Sequence, residues 1–307
     1  MRTLKHWFFQ KTDALKELVL LMSLSWSPFN HPRKEAPLPV IVALTTYPQR
    51  ISSSWRAIET LLRQTMRPQS VVLVLAKEEF LDQQLPRKIR AQQRRGLNIL
   101  WVDKNGKSFD KLIPVMTSHP DTAIITCDDD KYFPKNLVAS LIEAHQFRPD
   151  AIIGARGWSM RQISAGGNIR YGDNWVRAVP GEEGLHLFMP GGNGALYPPG
   201  SLDPGVTDLS QALRVCPTAD DIWIWGHALK VKTAMVCLGM PPHRPVKLFS
   251  KSPALSDINN SANQTQFERI IVELNLEVTV QEAVDKGLSN GQKSARTLKT
   301  LPSTRDE

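Results

Sequence analysis

Short apolar runs rich in β-branched residues punctuate the first half of the chain: Val40–Leu44, Val71–Leu75, Ile99–Val102, Ala123–Cys127 and Ala151–Gly154. Runs this short, apolar at almost every position, predict strands covered on both faces. Between them the apolar spacing turns helical. Trp55, Ile58, Leu61 and Leu62 share one face of a helix expected to start near Ser52–Ser54. A basic helix is predicted over 86–95, a third begins near Lys111–Ile113, and a fourth turns Leu137, Leu141 and Ile142 inward. Strand and helix alternate throughout, so the fold class is α/β with a doubly wound, mostly parallel sheet.

The second half changes character. Residues 157–200 carry many Gly, Trp and Pro with little periodicity, which predicts long functional loops. A helix opens at Ala219-Asp220-Asp221 and runs to about Lys230, followed by a strand over 233–237. Pro241–Pro245 forms a stiff turn, 265–275 a last amphipathic helix, and from Asp285 the chain is polar. The expected organisation is an amino-terminal helical segment (1–37), one domain (38–280) divided into halves at 155/156, and a mobile tail (281–307).

Three cysteines without a CxxC pair argue against a disulfide framework or structural zinc and fit a reducing cytoplasm. The formal charge of +8 suits an anionic partner. The apolar stretch 18–29 is shorter than the roughly 20 residues a spanning helix needs. It predicts a helix that packs on the domain or lies on a membrane surface, so the expected location is cytoplasmic, with peripheral contact at the inner face of the membrane as an option.

The candidate chemistry begins where the fourth strand ends, at Asp128-Asp129-Asp130. Carboxylates there emerge into the crevice where open α/β sheets bind ligands. On an extended chain Asp128 and Asp130 point together and Asp129 away, the pair separated by roughly 6–7 Å. Their repulsion invites a hard cation, and oxygen-only ligands suit Mg²⁺ or Mn²⁺. The plain alternative is an acidic turn that caps the next helix. A second acidic pair, Asp220-Asp221, starts a helix, where carboxylates are favoured by free amides in any case. Here it follows a glycine-rich loop, beside Trp223 and Trp225, whose faces could hold sugar rings. A metal-carboxylate site plus a separate base suits sugar transfer from a nucleotide donor to a hydroxyl.

The ordered blocks VIVALTTYPQRI, DKNGKSFDKLIP, IITCDDD, GGNGALYPP and CPTADDIW, spanning about residues 38–250, resemble bacterial glycosyltransferases of the GT-A fold. These are linked to capsule or lipopolysaccharide synthesis. The resemblance implies a Rossmann-like nucleotide half and an irregular acceptor-side half. It implies Asp128 and Asp130 as the DxD acids that hold ribose and a divalent metal, and Asp221 as the base of an inverting reaction, with Asp220 orienting the acceptor. It places Thr45, Tyr47, Arg50, Asp103, Lys111 and Asp129 among the nucleotide contacts, and His243 as a late metal ligand. His243 could equally be a surface histidine locked by its proline neighbours. The implied partners are a UDP- or GDP-sugar and a glycan or lipid-linked acceptor. No QxxRW motif is present, which favours single-sugar transfer over polymer extrusion. The same acids could serve a metal-dependent phosphohydrolase or nuclease, but no nucleic-acid recognition motif appears and no nucleic-acid partner is expected. A non-catalytic sugar-nucleotide-binding scaffold is the third reading.

Overall fold

The computed structural model describes residues 34–160, 170–172, 175–246 and 260–287. The chain enters the main sheet at β1 (Val40–Thr45), crosses through α1 (Pro48–Leu62) to β2 (Ser70–Ala76), then through α2 (Arg87–Gln93) to β3 (Leu97–Val102). A 3₁₀ turn (Lys107–Lys111) and α3 (Ile113–Ser118) lead back to β4 (Ala123–Cys127), and α4 (Leu137–Phe147) leads on to β5 (Ile152–Gly154). After β6 (Glu183–Gly184) and β7 (Asn193–Tyr197) come α5 (Leu209–Val215), α6 (Asp220–Lys230), β8 (Met235–Cys237) and α7 (Asn260–Glu273).

The eight strands lie in the order β6-β8-β5-β7-β4-β1-β2-β3. β1 is parallel to both neighbours, with Val42 opposite Val71 on one side and Ile125 on the other. The chain therefore winds outward through β2 and β3, then returns across β1 to β4. That reversal makes a topological switch point at the carboxyl ends of β1 and β4. The mostly parallel α/β architecture expected from the apolar runs is what the structure has.

Alternation along each strand divides the core in two. Val40, Val42 and Leu44 join one cluster with Ile58 and Leu61 of α1 and Leu137 and Leu141 of α4. Ile41 and Ala43 join the other, with Phe109, Trp223 and Phe267. Both faces are covered, which is why the strands are apolar at nearly every position. The second layer closes because Gly226 on α6 lets α7 approach: a Cβ there would stand 2.5 Å from Ile270 Cγ1.

Four expectations change. α1 begins at Pro48 rather than at the serines. Proline at the first helical position has its φ preset and no N–H to leave unpaired. Ser53 and Ser54 are interior to the helix and donate back to the carbonyls of Arg50 and Ile51. Within 157–200, β7 inserts antiparallel between β4 and β5. Trp158–Met160, Trp175–Arg177 and Leu187–Phe188 form a separate three-stranded antiparallel sheet. Glycines disguised β7, although Ala195, Leu196 and Tyr197 are buried. Residues 277–287, partly assigned to the tail, are helical, and buried Val280, Ala283 and Val284 hold them to the domain. The rest of that tail, and the amino-terminal segment up to residue 33, lie outside the described residues. None of the described helices is long and apolar enough to cross a membrane.

Candidate active site

The strand β4 ends at Cys127, and the aspartates that follow are already in a turn. This breaks the expected two-residue periodicity. Arg50, one turn into α1, bridges neighbours rather than alternates: Nη1 stands 2.8 Å from Asp129 Oδ1 and Nη2 stands 2.9 Å from Asp130 Oδ2. Asp129, expected to face away, is the most buried of the three at 5% exposed. It also accepts a 2.5 Å hydrogen bond from the Thr46 hydroxyl. Burial pushes its carboxyl up to about 6, against the pull of Arg50 and Thr46.

Asp128 turns to two lysines. Lys111 Nζ reaches Oδ1 at 3.1 Å and Lys131 Nζ reaches Oδ2 at 2.7 Å. Burial alone would raise this carboxyl, but the two ammonium groups hold it well below the usual range. Lys111 is itself buried, turned inward by the 3₁₀ segment, and its Nζ lies 2.9 Å from Asp220 Oδ2. It joins the two acidic pairs into one cluster. Burial opposes its charge, and Asp128, Asp220 and Asp221 outweigh that and keep it protonated.

Asp221 sits in the first turn of α6, where Oδ1 accepts 2.8 Å from the Gly191 amide. Burial first, then the neighbouring Asp220, push its carboxyl up to about 7, with Lys111 opposing. The turn 189–192 before β7 touches both acidic groups. The Gly192 carbonyl accepts from the Asp128 amide at 3.1 Å and from Lys131 Nζ at 3.1 Å. A Cβ on Gly192 would lie 1.9 Å from Asp128 Oδ2, so only glycine lets this turn close over the carboxylate. Behind it, Thr126 donates to the Gly191 carbonyl at 2.9 Å.

Among the described residues, five carboxylates (Asp128, Asp129, Asp130, Asp220, Asp221) therefore face three cations (Arg50, Lys111, Lys131), an excess of two negative charges. Burial raises Asp129 and Asp221, and the neighbouring carboxylates add to it. Asp130 Oδ1 is buried and has no hydrogen-bond partner among the described residues. An orphaned carboxylate oxygen in an under-neutralised cluster fits a divalent cation. Among the described residues no group of three or more His, Cys, Asp or Glu is gathered for a metal. A cation bound here would take one or two carboxylates and complete its shell with substrate oxygens, the habit of Mg²⁺.

The other candidates stand apart. His243 is not gathered with Asp128 and Asp130 into a metal set. Its Nε2 lies 2.7 Å from the Asn193 carbonyl and its ring packs edge-on against Phe133. Burial, and then the charges of Lys131 and Arg156, hold its pKa down. Thr45 spends its hydroxyl on the Val74 carbonyl at 3.0 Å. Tyr47 caps α1 without a side-chain hydrogen bond and lies under the Arg50 guanidinium, 5.5 Å from ring centroid to Cζ. Asp103 is at the far edge of the sheet, exposed and paired with Lys77 at 2.7 Å. Trp223 and Trp225 are core residues: Trp223 donates to the Val206 carbonyl, and Trp225 stacks on Phe267. Neither offers a face to a sugar. The residues that sequence reasoning passed over are Thr46, Lys131 and Gly191-Gly192. Lys131 adjoins the triplet and Thr46 adjoins Thr45, so adjacency to residues already singled out was the available signal.

No family model matches the chain, and no curated protein sequence does. Solved structures give faint likenesses. Residues 1–349 of S. aureus TarS align at 12% identity with a TM-score of 0.42, covering 67% of this chain and 59% of that one. The mannosyltransferase PcManGT from Pyrobaculum calidifontis, in complex with GDP-Man and Mn²⁺, aligns at 12% identity and 0.44, covering 94% and 83%. A CMP:2-keto-3-deoxy-manno-octonic acid synthetase complexed with CTP aligns at 13% identity and 0.39, covering 75% and 98%. The chain thus spans well under two thirds of that TarS fragment. Likeness at this level carries no argument about activity; the fold stands on the strand order and register above.

Proposed function

We propose that the chain is a glycosyltransferase that moves one sugar from a UDP- or GDP-sugar to a hydroxyl of a glycan or lipid-linked acceptor, with inversion at the anomeric carbon. The observation that carries this reading is the single buried cluster in which Lys111 ties Asp128 to Asp220, with Asp221 beside them pushed up to about 7. A carboxylate poised near neutral pH suits a general base. Asp221 takes the proton from the acceptor hydroxyl as that oxygen attacks the anomeric carbon, and the carbon's bond to the leaving phosphate oxygen breaks. Asp220, pinned by Lys111, positions the acceptor. Arg50, Thr46 and Tyr47, at the switch point between β1 and β4, serve the nucleotide, with Lys111 and Lys131 set for its phosphates. Asp130, through its unpartnered Oδ1, and Asp128 would hold Mg²⁺ or Mn²⁺. Such an ion supplies charge neutralisation for the departing diphosphate. A role in capsule or lipopolysaccharide synthesis follows from the sequence resemblance alone.

The test is incubation with a panel of nucleotide sugars, UDP-GlcNAc and GDP-Man among them, with and without Mn²⁺. Release of the nucleoside diphosphate supports transfer, and the anomeric coupling in the product's NMR spectrum reads inversion. Release of inorganic phosphate or cleavage of nucleic acid would instead favour the hydrolase. Binding of a nucleotide sugar with no turnover on any acceptor would favour the scaffold.

A further inference from the structure

Beyond the acidic cluster, the rim of the sheet turns basic. Arg156 follows the carboxyl end of β5, which only β7 separates from β4. Two strand spacings put it about 10 Å along the rim from the aspartates. Arg156 sits in the bend before the strand Trp158–Met160, where the Ala178 amide, next to Arg177, donates to the Gly157 carbonyl at 3.0 Å. Ser159, the residue after Trp158, points inward, where its hydroxyl donates to Glu182 at 2.7 Å. Across the small antiparallel sheet Arg177 is the register partner of Trp158, with its Cζ 6.0 Å from the ring centroid.

This patch is unfinished. Trp158 is 38% exposed, while the tryptophans of α6 are packed away. Arg156 Nε is buried with no hydrogen-bond partner among the described residues. Neither arginine has an acid partner among the described residues. Burial, and then the neighbouring Arg177, weaken the hold of Arg156 on its proton. Two like charges crowded against an open aromatic face call for an anion on a flat ring. A carboxylate or phosphate matches the guanidinium fork in a bidentate manner, and the indole matches the apolar face of a sugar.

We propose that Arg156, Trp158 and Arg177 form a subsite for an acidic sugar unit of the acceptor, its ring on Trp158 and its carboxylate or phosphate held by the two arginines. The assignment of this unit to the acceptor rests on the glycosyltransferase reading above; the binding itself does not.

Saturation-transfer NMR on the full chain compares methyl glucuronide, a hexose phosphate and the uncharged methyl glucoside, with inorganic phosphate read by its competition against the charged sugars. One charged sugar should bind at least tenfold more tightly than the glucoside and than free phosphate; which of the two it is separates a uronate from a phosphorylated acceptor. Arg156→Gln and the more exposed Arg177→Gln should each weaken that sugar about tenfold. Trp158→Ala should weaken it about fivefold, and Trp158→Phe should recover most of the loss. Circular-dichroism melts identify any variant that fails to fold. Equal binding of charged and uncharged sugars, or folded arginine variants with wild-type affinity, overturns the subsite. Thermal shift with UDP-GlcNAc and GDP-Man on the same wild-type sample keeps the two readings apart. An acidic sugar bound without any nucleotide sugar would sink the transferase and leave the subsite. Nucleotide sugars bound without the acidic sugar would do the reverse.

Discussion

Two buried clusters of charge in this molecule are built from the same residue types to opposite ends. On the outer side of α1, Glu59 is 3% exposed and every carboxylate oxygen is engaged. Arg63 Nε lies 2.6 Å from Oε1, Arg95 grips both oxygens at 2.8 and 2.9 Å, and Gln92 adds a bond at 3.0 Å. Burial would raise this carboxyl, yet its partners leave it lowered. One acid faces two arginines, and the effect is to clamp α1 to the α2–β3 turn. At the rim of β4 the ratio reverses among the described residues, with five acids to three cations, Asp130 Oδ1 left without a partner, and two carboxyls raised. A structural cluster gives its carboxylate more cations than it needs. One that awaits a ligand runs short of them, in low-dielectric surroundings where the shortfall is felt.

Lys111→Met should produce the largest loss, because it strips the one cation shared by Asp128 and Asp220. Removing one partner of a buried pair typically costs about 3–5 kcal/mol. Denaturant unfolding would read that loss, and sugar transfer should fall with it. Wild-type stability in this variant would mean that Lys111 does not tie the two acidic sites together.

Asp221→Asn separates function from fold more cleanly. Loss of a general base should slow transfer by roughly 10²–10⁴-fold. Stability at pH 8 should hold or rise, because the substitution removes a charge that burial and Asp220 disfavour. Near-normal turnover would hand the base role to another group. Glu59→Gln should do the opposite. It should cost about 1.5–3 kcal/mol, the range for hydrogen bonds to charged groups, and leave nucleotide-sugar affinity unchanged.

The pH dependences of the two clusters should also oppose each other. Asp129 and Asp221 have folded pKa values raised to about 6 and about 7. Their contribution to stability is full below the unfolded carboxylate value and is lost as pH rises through those two values. Glu59 is lowered, so its contribution is full above the unfolded value and is lost as pH falls through the folded one. Melting of Asp221→Asn minus wild type should therefore increase from pH 5 to 8, while the Glu59→Gln deficit should shrink in acid. Transfer should climb about tenfold per pH unit below 7 and level off above it, as one carboxyl loses its proton.

The sheet was legible in the sequence because strands covered on both faces must be apolar throughout, and β1 to β5 are. β7 was not, since Gly191 and Gly192 form a turn that closes on Asp128 and Gly194 makes a positive-φ bulge inside the strand, a pattern that composition reads as loop. The acidic pairs were legible as chemistry but not as geometry. Strand periodicity carried past Cys127 sent Asp129 outward, whereas the turn buries it under Arg50 and Thr46. The inward reach of Lys111 depends on a 3₁₀ turn that no apolar spacing signals. Trp223 and Trp225 looked like sugar platforms by adjacency in sequence, and helical geometry carried them into the core.

The smallest effect tests the β3 edge of the sheet, away from the cluster. Asp103 matches a nucleoside contact by sequence resemblance, yet its side chain is 86% exposed and its partner is Lys77. It ends β3, the outermost strand, with β2 and β1 between it and β4. Three strand spacings amount to about 14 Å. Its carboxyl is lowered by the hydrogen bond from Lys77, an exposed contact that salt screens. Asp103→Asn should therefore leave both melting temperature and nucleotide-sugar affinity within error of wild type at physiological ionic strength. A clear loss of affinity for one nucleotide with no change in melting would extend the ligand's footprint along the rim to β3. The nucleoside would then span the sheet from β4 to its edge, and the open cluster at β4 would be one end of the site rather than its centre.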